Sequence, residues 1–263
     1  MAYLLDGNNI HQYSAVPVKN VGPLAIAGLF DLPKRTGTTE YNWGTCIEPY
    51  VDADDIELDG RTLSLKLAIK TLDYRTKLEE LRSALLSCKK LGTDYGEFEV
   101  LCKDEIIVDD YPKLSMAIVT AKLWQPVFIV PELILNTSGS NNGYAIDGYS
   151  LNQDFGIYHP EPEGLEAFAK RIEVTTTDVY RTTQYRELDV VTFRCKMVSS
   201  SLLDAYTKMM QLHALCMRPG LRILDNGKIS AKVYFKSGIA VTPLSEKILQ
   251  FELKCTVAEW IKR

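Results

Sequence analysis

The chain is poor in the residues that most often do chemistry. Three histidines (His11, His159, His213) and six cysteines (Cys46, Cys88, Cys102, Cys195, Cys216, Cys255) are scattered over 263 residues. None of the cysteines forms a CxxC pair, which removes the usual zinc and redox spacings and favours buried thiols in a reducing compartment over a disulfide framework. No GxxxxGK[ST], HExxH, GxSxG or GxGxxG occurs, so phosphate cradles and the common hydrolase elbows lack their signatures. No apolar run approaches the roughly 20 residues of a membrane helix. The start, Met1-Ala2-Tyr3-Leu4-Leu5-Asp6-Gly7, lacks the basic and then apolar order of a secretory leader, and Asn136-Thr137-Ser138 is accordingly read as linker composition rather than a glycosylation acceptor. With 30 basic against 34 acidic residues the net charge is −4, so no broad basic field invites nucleic acid or acidic lipid.

What the chain does have is a repeat. Leu5-Asp6-Gly7-Asn8-Asn9-Ile10-His11-Gln12 returns as Ile146-Asp147-Gly148-Tyr149-Ser150-Leu151-Asn152-Gln153, with Gly7 mapping to Gly148. Between the copies, Pro131 to Gly143 is crowded with small polar residues that cannot build a core. The expected division is residues 1–135, a linker at 136–143, and residues 144–263, each half long enough to bury its own core.

Within each half the patterning is mostly period two. In Leu63 to Lys70 the odd positions are apolar and the even ones small or charged, and Val191 to Met197, Ile229 to Lys236 and Leu249 to Cys255 repeat the pattern. This predicts antiparallel strands with one packed and one open face. One helix per half follows the first strong strand. Leu78, Leu81, Leu85 and Cys88 make a stripe within 74–90, and Leu202, Tyr206, Met209, His213 and Cys216 make one within 200–217. Gly92 and Pro219-Gly220 read as helix stops, and Trp124 and Trp260 as matching ends of the final strands. The predicted class is α+β with β dominant: two tandem copies of a small antiparallel barrel or sandwich, each with a flanking helix.

Candidate sites are few. Asp52-Ala53-Asp54-Asp55-Ile56-Glu57-Leu58-Asp59-Gly60 is acidic, but Ile56 stands where a calcium loop needs an oxygen ligand and Glu57 where it needs glycine. It is read as a solvated loop. Asp104, Glu105, Asp109 and Asp110 surround Ile106-Ile107-Val108 and read as a polar hairpin, with an acid/base pair or a negatively charged rim as the functional alternatives. His213 lies on an apolar helix stripe and reads as a core residue, while His159, beside Pro160 and Pro162, reads as a surface one. No catalytic, cofactor or metal residue is assigned, and the chain is expected not to be an enzyme. Tyr41, Trp43, Tyr50, Tyr144, Tyr149 and Tyr158 are candidates for sugar stacking, which makes a two-domain carbohydrate-binding or adhesion module the alternative reading.

The opening apolar-Asp-Gly-x-x-Ile, followed by Gly22-Pro23 and Asp31-Leu32-Pro33-Lys34-Arg35-Thr36-Gly37, resembles the N-terminal domain of bacteriophage distal tail proteins. The succeeding strand, helix, hairpin and strand are similar to the tail-tube fold of tubes and baseplate hubs, and the second half looks like another copy. The resemblance implies a homo-oligomeric ring, as a trimer supplying six units or a hexamer of two stacked rings. It also implies contacts with other tail proteins, and DNA passing through the channel without sequence-specific binding or a membrane partner. The implied location is a virion tail assembled in the bacterial cytoplasm. Ser64, Lys66, Lys70, Thr192, Arg194 and Lys196 become the candidate channel-facing residues, with the acidic hairpin 104–110 as the alternative lining. The repeat leaves no separate sugar-binding domain at the C-terminus.

Overall fold

The computed structural model describes residues 2–43, 47–139, 143–165, 171–175, 180–184 and 189–262. Cys46 and linker residues 140–142 fall outside them.

The first half runs β1 (Leu4–Leu5), β2 (Asn8–Asn9), β3 (Ala15–Pro17), β4 (Ile26–Ala27), β5 (Glu40–Asn42), β6 (Ile47–Pro49) and β7 (Arg61–Lys70). Helix α1 (Tyr74–Ser87) follows, then β8 (Lys90–Thr93), β9 (Gly96–Glu99), β10 (Leu101–Cys102), β11 (Ile107–Tyr111) and β12 (Met116–Gln125). The second half runs β13 (Ala145–Ile146), β14 (Tyr149–Ser150), β15 (Ile157–Tyr158), β16 (Arg171–Thr175), β17 (Tyr180–Gln184) and β18 (Val190–Val198). Then come α2 (Leu202–Cys216), β19 (Arg222–Asp225), β20 (Ser230–Tyr234), β21 (Val241–Ser245) and β22 (Ile248–Lys262). The protein is α+β and β-dominated, and every strand pair among the described residues is antiparallel.

The repeat seen in the opening octets extends through the pairing. The hairpin β1–β2 turns at Asp6 (φ 49°) and Gly7 (φ 84°), and β13–β14 turns at Asp147 (φ 51°) and Gly148 (φ 83°). Two successive left-handed residues give a turn whose twist suits a tight hairpin, and Asp-Gly tolerates that backbone best. β1 pairs with β8 and β13 with β19. The long pairs β7·β12 and β18·β22 carry each sheet, with β11 and β21 lying on β12 and β22 respectively. Gly28 (φ 82°) follows β4, and Gly164 (φ 90°) follows Glu163, which bridges to Thr192. A Cβ at Gly28 would collide with the Thr62 carbonyl oxygen, and one at Gly164 with that of Val190. Thr62 and Val190 occupy the same place on β7 and β18, so one glycine requirement recurs at one place in both copies.

Alternation sets the faces. Leu63, Leu65, Leu67 and Ile69 are buried, as are Val191, Phe193, Cys195 and Met197, and the residues between them are mostly open or half-open. The α1 stripe points at its sheet, with Leu78, Leu81 and Leu85 buried and Cys88 buried just past its end; in α2 Met209, His213 and Cys216 are buried, and Tyr206 and His213 meet aromatic rings of the first half. Three details depart from the sequence expectation. Gly92 does not stop α1, which already ends at Ser87; it sits in β8 opposite Leu4, where a Cβ would come within 3.0 Å of the Leu4 side chain. Tyr234 is buried on the face that alternation leaves open, because its hydroxyl donates to the Glu40 carboxylate from the first half. Trp124 and Trp260 are not counterparts. Trp124 pairs with Thr62, and the corresponding pair in the second half is Val190 with Thr256.

The connector after β12 is held against α2. Gln211 Oε1 accepts from the backbone N–H groups of Ile134 (2.8 Å) and Leu135 (3.0 Å), and its amide donates to the Glu132 carbonyl (3.0 Å). Further along, Thr137 donates to the Gly148 carbonyl (2.7 Å) and Asp154 accepts from the Ser138 N–H (2.9 Å). The buried residues of the two halves form one continuous core.

Candidate functional surfaces

The candidate channel-facing residues all fall on the sheet faces turned away from the helices, because they occupy the even positions of strands whose odd positions are packed. On β7, Ser64 and Lys66 are half-buried and Lys70 is exposed. The Asn20 amide donates to the Ser64 carbonyl (2.9 Å) and hydroxyl (3.3 Å), which tucks that end of the face under the loop after β3. On β18, Arg194 and Lys196 are exposed and Thr192 half-buried. Arg194 pairs with Glu163 at 2.9 Å, and Lys254 on the adjoining β22 pairs with Glu252 at 3.0 Å. Lys196 has no carboxylate partner among the described residues.

This open face of the second half is hollowed into a groove of about 920 Å³. Its floor is Arg194, Lys196, Gln250, Glu252 and Lys254, and its walls include Tyr158 to Pro160 on one side and the 237–242 stretch on the other. His159 belongs to the wall rather than to open surface. Its ring is half-buried, edge-on to Tyr144 (5.5 Å) and Phe193 (5.0 Å).

The acidic segments separate into two kinds. In 52–60 the chain makes a 3-10 turn at Ala53–Asp55, and the Arg35 guanidinium donates to the carbonyl oxygens of Tyr50 (2.6 Å) and Asp55 (3.0 Å). An arginine therefore holds the backbone oxygens of the loop, and among the described residues no group of three or more metal-type side chains converges anywhere. Asp109 and Asp110 lie on β11 and are exposed, as are Asp104 and Glu105 in the loop before it; Asp110 reaches Arg75 at 3.9 Å. They form a charged rim along one sheet edge.

The five described cysteines are not poised as nucleophiles. Cys88, Cys102, Cys195, Cys216 and Cys255 are free thiols. Burial pushes the thiols of Cys195 and Cys255 up to about 12 and that of Cys88 to about 11, and raises those of Cys102 and Cys216 as well. Such groups stay protonated at neutral pH. His213 is wholly buried, neither ring nitrogen has a hydrogen-bond partner, and burial lowers its pKa to about 3.

The six aromatic candidates do not share a surface. Tyr144 is core, Tyr50 and Tyr149 are half-buried, and Tyr158 lines the groove. Tyr41 and Trp43 alone stand together in the open, ring centroids 4.4 Å apart, with the Trp43 indole donating to Glu48 (2.9 Å). Trp43 is 61% exposed.

Sequence reasoning missed the seam between the halves. Leu32 and Ile239 exchange backbone hydrogen bonds (3.0 and 2.9 Å), Arg35 donates its N–H to the Lys236 carbonyl (3.1 Å), and Asp31 accepts from the Val241 N–H (2.8 Å). Glu40 pairs with Lys236 at 2.7 Å, and Phe30 and Tyr95 pack on Tyr206 of α2. Beneath this lies Arg61, buried, donating to the Gln125 amide oxygen (2.8 Å) and to the carbonyls of Leu29 (2.8 Å) and Asp31 (2.9 Å), with the Phe128 ring 4.6 Å away. Burial lowers the Arg61 pKa and raises that of Asp31. A signal for Arg61 is present in the sequence: it shares parity with Leu63, Leu65 and Leu67 and so faces inward.

Among the described residues no helix is long and apolar enough to cross a membrane. Comparisons with protein-family models, with curated proteins and with solved structures found no match to this chain.

Proposed function

We propose that this chain is a structural, non-enzymatic component of a phage or prophage tail tip, a distal tail or hub protein that oligomerises into a ring around the tail channel. The observation that carries this reading is the doubled architecture. Two units of the same strand order each bury one sheet face under a helix and leave the other open. A wet sheet face suits a surface that lines or contacts something, and two such units in tandem suit cyclic closure. The ring is either a trimer, with six units around the axis, or a hexamer with two tiers.

Charge bears on what could pass. The basic alternation of β18 taken alone would grip phosphates, yet Glu163 and Glu252 pair with Arg194 and Lys254 and bring the open face closer to neutral. DNA passage without sequence-specific contact fits a lining of that kind. Assembly would take place in the bacterial cytoplasm, with other tail proteins above and below.

Light scattering across micromolar concentrations, followed by negative-stain imaging, tests the proposal. Closed rings of constant copy number with a central channel are the expected result. A protein that is monomeric throughout and forms no ring in images would overturn it. The alternative, a carbohydrate-binding module, draws on the exposed Tyr41–Trp43 pair. A glycan array in which wild type binds and Trp43→Ala does not would favour it.

A further inference from the structure

The two copies of the repeat differ in what lies over their open faces. Ala15 and Ile157 hold matching places, opposite Ile69 and Met197. Gly28 comes 13 residues after Ala15, whereas its counterpart Gly164 comes seven after Ile157. The first half therefore has six more residues here. They belong to the loop whose Asn20 donates to Ser64, and Val18, Val21 and Pro23 of that loop are half-buried. The face it borders is closed: Lys66, Ile118 and Thr120 are half-buried and Ala68 is buried. By register the same positions on β18 and β22 are Arg194, Gln250, Glu252 and Lys196, and all four are exposed. The shorter connection leaves the groove open.

Chemistry changes together with length. Where the covered face has Ala68 and Ile118, the open one has Lys196 and Gln250, so an apolar loop like 18–25 would find little to pack on. The groove is also balanced in charge. Arg194 pairs with Glu163 and Lys254 with Glu252, and Glu161, next to Pro160 of the wall, offsets Lys196. An ionic ligand of either sign gains little there. What converges on the groove is hydrogen-bonding capacity. The side chains of Tyr158, Lys196, Ser237, Thr242 and Gln250 line it and make no hydrogen bond among the described residues. They offer donors and acceptors together. On the wall, Tyr158 is 57% exposed and presents an aromatic ring.

We infer that this groove binds an uncharged oligosaccharide. Each sugar hydroxyl both donates and accepts, which matches a floor where amide, hydroxyl, ammonium and carboxylate groups alternate. The ion pairs hold Arg194, Glu252 and Lys254 in place before a ligand arrives, which lowers the ordering cost of binding. The Tyr158 ring supplies a flat apolar surface for the C–H face of a pyranose. A volume of about 920 Å³ lies within the roughly 300–1,000 Å³ of small-ligand sites, and the open shape suits a chain of sugars. The inference goes beyond the ring reading and does not depend on it; in a ring, this face would meet a sugar chain outside the channel. It also differs in place from the Tyr41–Trp43 pair, which lies in the first half.

The full chain is tested on an array of neutral, sialylated and sulfated glycans, and then by calorimetry with the neutral oligosaccharide that gives the strongest signal. Neutral glycans are expected to bind. Tyr158→Ala is expected to raise Kd at least tenfold and Gln250→Ala about tenfold. Thr242→Trp, which fills the groove, is expected to abolish binding, while Trp43→Ala and Lys70→Ala leave it unchanged. All five positions are exposed, so each variant should melt within a few degrees of wild type. A chain that binds no neutral glycan overturns the inference. So does binding confined to charged glycans and lost in high salt. Binding that survives all three groove variants but fails in Trp43→Ala moves the sugar to the first half and overturns the groove. A synthetic peptide of residues 18–25 that occupies the groove where no glycan does gives the face to protein segments instead. Light scattering of the same variants is expected to match wild type, so loss of sugar binding and failure of the ring reading are seen separately.

Discussion

The two helices occupy the same place in their respective halves, yet one is a surface helix and the other is interior over its second half. In α1 only the stripe Tyr74, Leu78, Leu81 and Leu85 is buried, and Leu86 is 60% exposed. In α2 every residue from Met209 to Cys216 is buried, including Ala214 at 5%. Leu86 and Ala214 are counterparts, as are Leu85 and His213. The difference comes from what lies behind. α2 has its own sheet on one side, and on the other Phe30, Tyr95 and Phe128 of the first half together with the connector gripped by Gln211. A helix segment covered on both sides carries no charge, as Met209 to Cys216 does not, whereas one covered on a single side keeps charges on the other. α1 keeps Arg75, Lys77, Glu79, Glu80 and Arg82, with ion pairs Lys77–Glu80 and Arg82–Glu79. The same unit thus carries different burial according to its neighbour.

The largest expected effect comes from placing a charge on those two backs. Ala214→Asp buries a carboxylate with no partner and is expected to cost about 3 kcal/mol or more, enough to unfold a marginal protein. Leu86→Asp, at the matching place on α1, is expected to stay within about 0.5 kcal/mol of wild type. Urea denaturation of the two variants provides the measurement. Equal losses would mean that α1 is covered in solution as fully as α2.

A sharper test of the duplication uses its glycines. Gly28→Ala and Gly164→Ala each force a Cβ onto a carbonyl oxygen at positive φ. Both should lose about 1–3 kcal/mol, by similar amounts. A loss confined to one would show that the turns tolerate a side chain differently, and that the shared backbone geometry is not a shared requirement.

Much of this duplication is legible in the amino-acid sequence. The Asp-Gly octets, the alternation of β7 and β18 and the two helix stripes all concern neighbours along the chain, where period and turn chemistry act directly. The seam is not legible there, because Leu32–Ile239 and Asp31–Val241 join residues about two hundred positions apart, and nothing local marks a loop backbone that will pair with another. The small polar composition of 131–143 marks a connector but is silent on Gln211, a single amide that fixes its course. The candidate surface is half legible: parity places Arg194 and Lys196 on the open face, but the partners Glu163 of Arg194 and Glu252 of Lys254 emerge only from the fold.

The Asp-Gly turns allow a more modest comparison. Asp6 accepts from the backbone N–H groups of Lys89 (3.0 Å) and Lys90 (2.8 Å). Asp147 accepts from the Ile223 N–H (2.7 Å) and also from Arg222, a largely buried guanidinium, at 2.6 Å. Removing Asp147 strands that charge. Asp147→Ala is expected to cost about 2–3 kcal/mol and Asp6→Ala about 1, both read by thermal melts. Addition of Arg222→Leu to Asp147→Ala should recover part of the loss, and failure to do so would place the importance of Asp147 in the turn alone.

The smallest effect is expected where the copies differ by a single core side chain. His213 fills the place of Leu85 but leaves two ring nitrogens without partners, so His213→Leu should stabilise the protein by about 1–2 kcal/mol at neutral pH. The sign of its pH dependence follows from the depressed pKa. In the unfolded chain this imidazole takes up a proton below about 6.5, while in the folded chain it resists protonation down to about 3. Between those limits the unfolded state binds more protons, so stability falls as pH falls, by up to about 1.4 kcal/mol per unit. Asp31, raised by burial, acts in the opposite sense at acid pH, and the contribution of His213 is therefore read as the difference between variant and wild type. That difference should widen from pH 7 to pH 4. A gap that stays constant with pH would mean that the imidazole gains a partner or a route to water in solution, and that the interior behind α2 is less closed than its counterpart's exposed back makes it look.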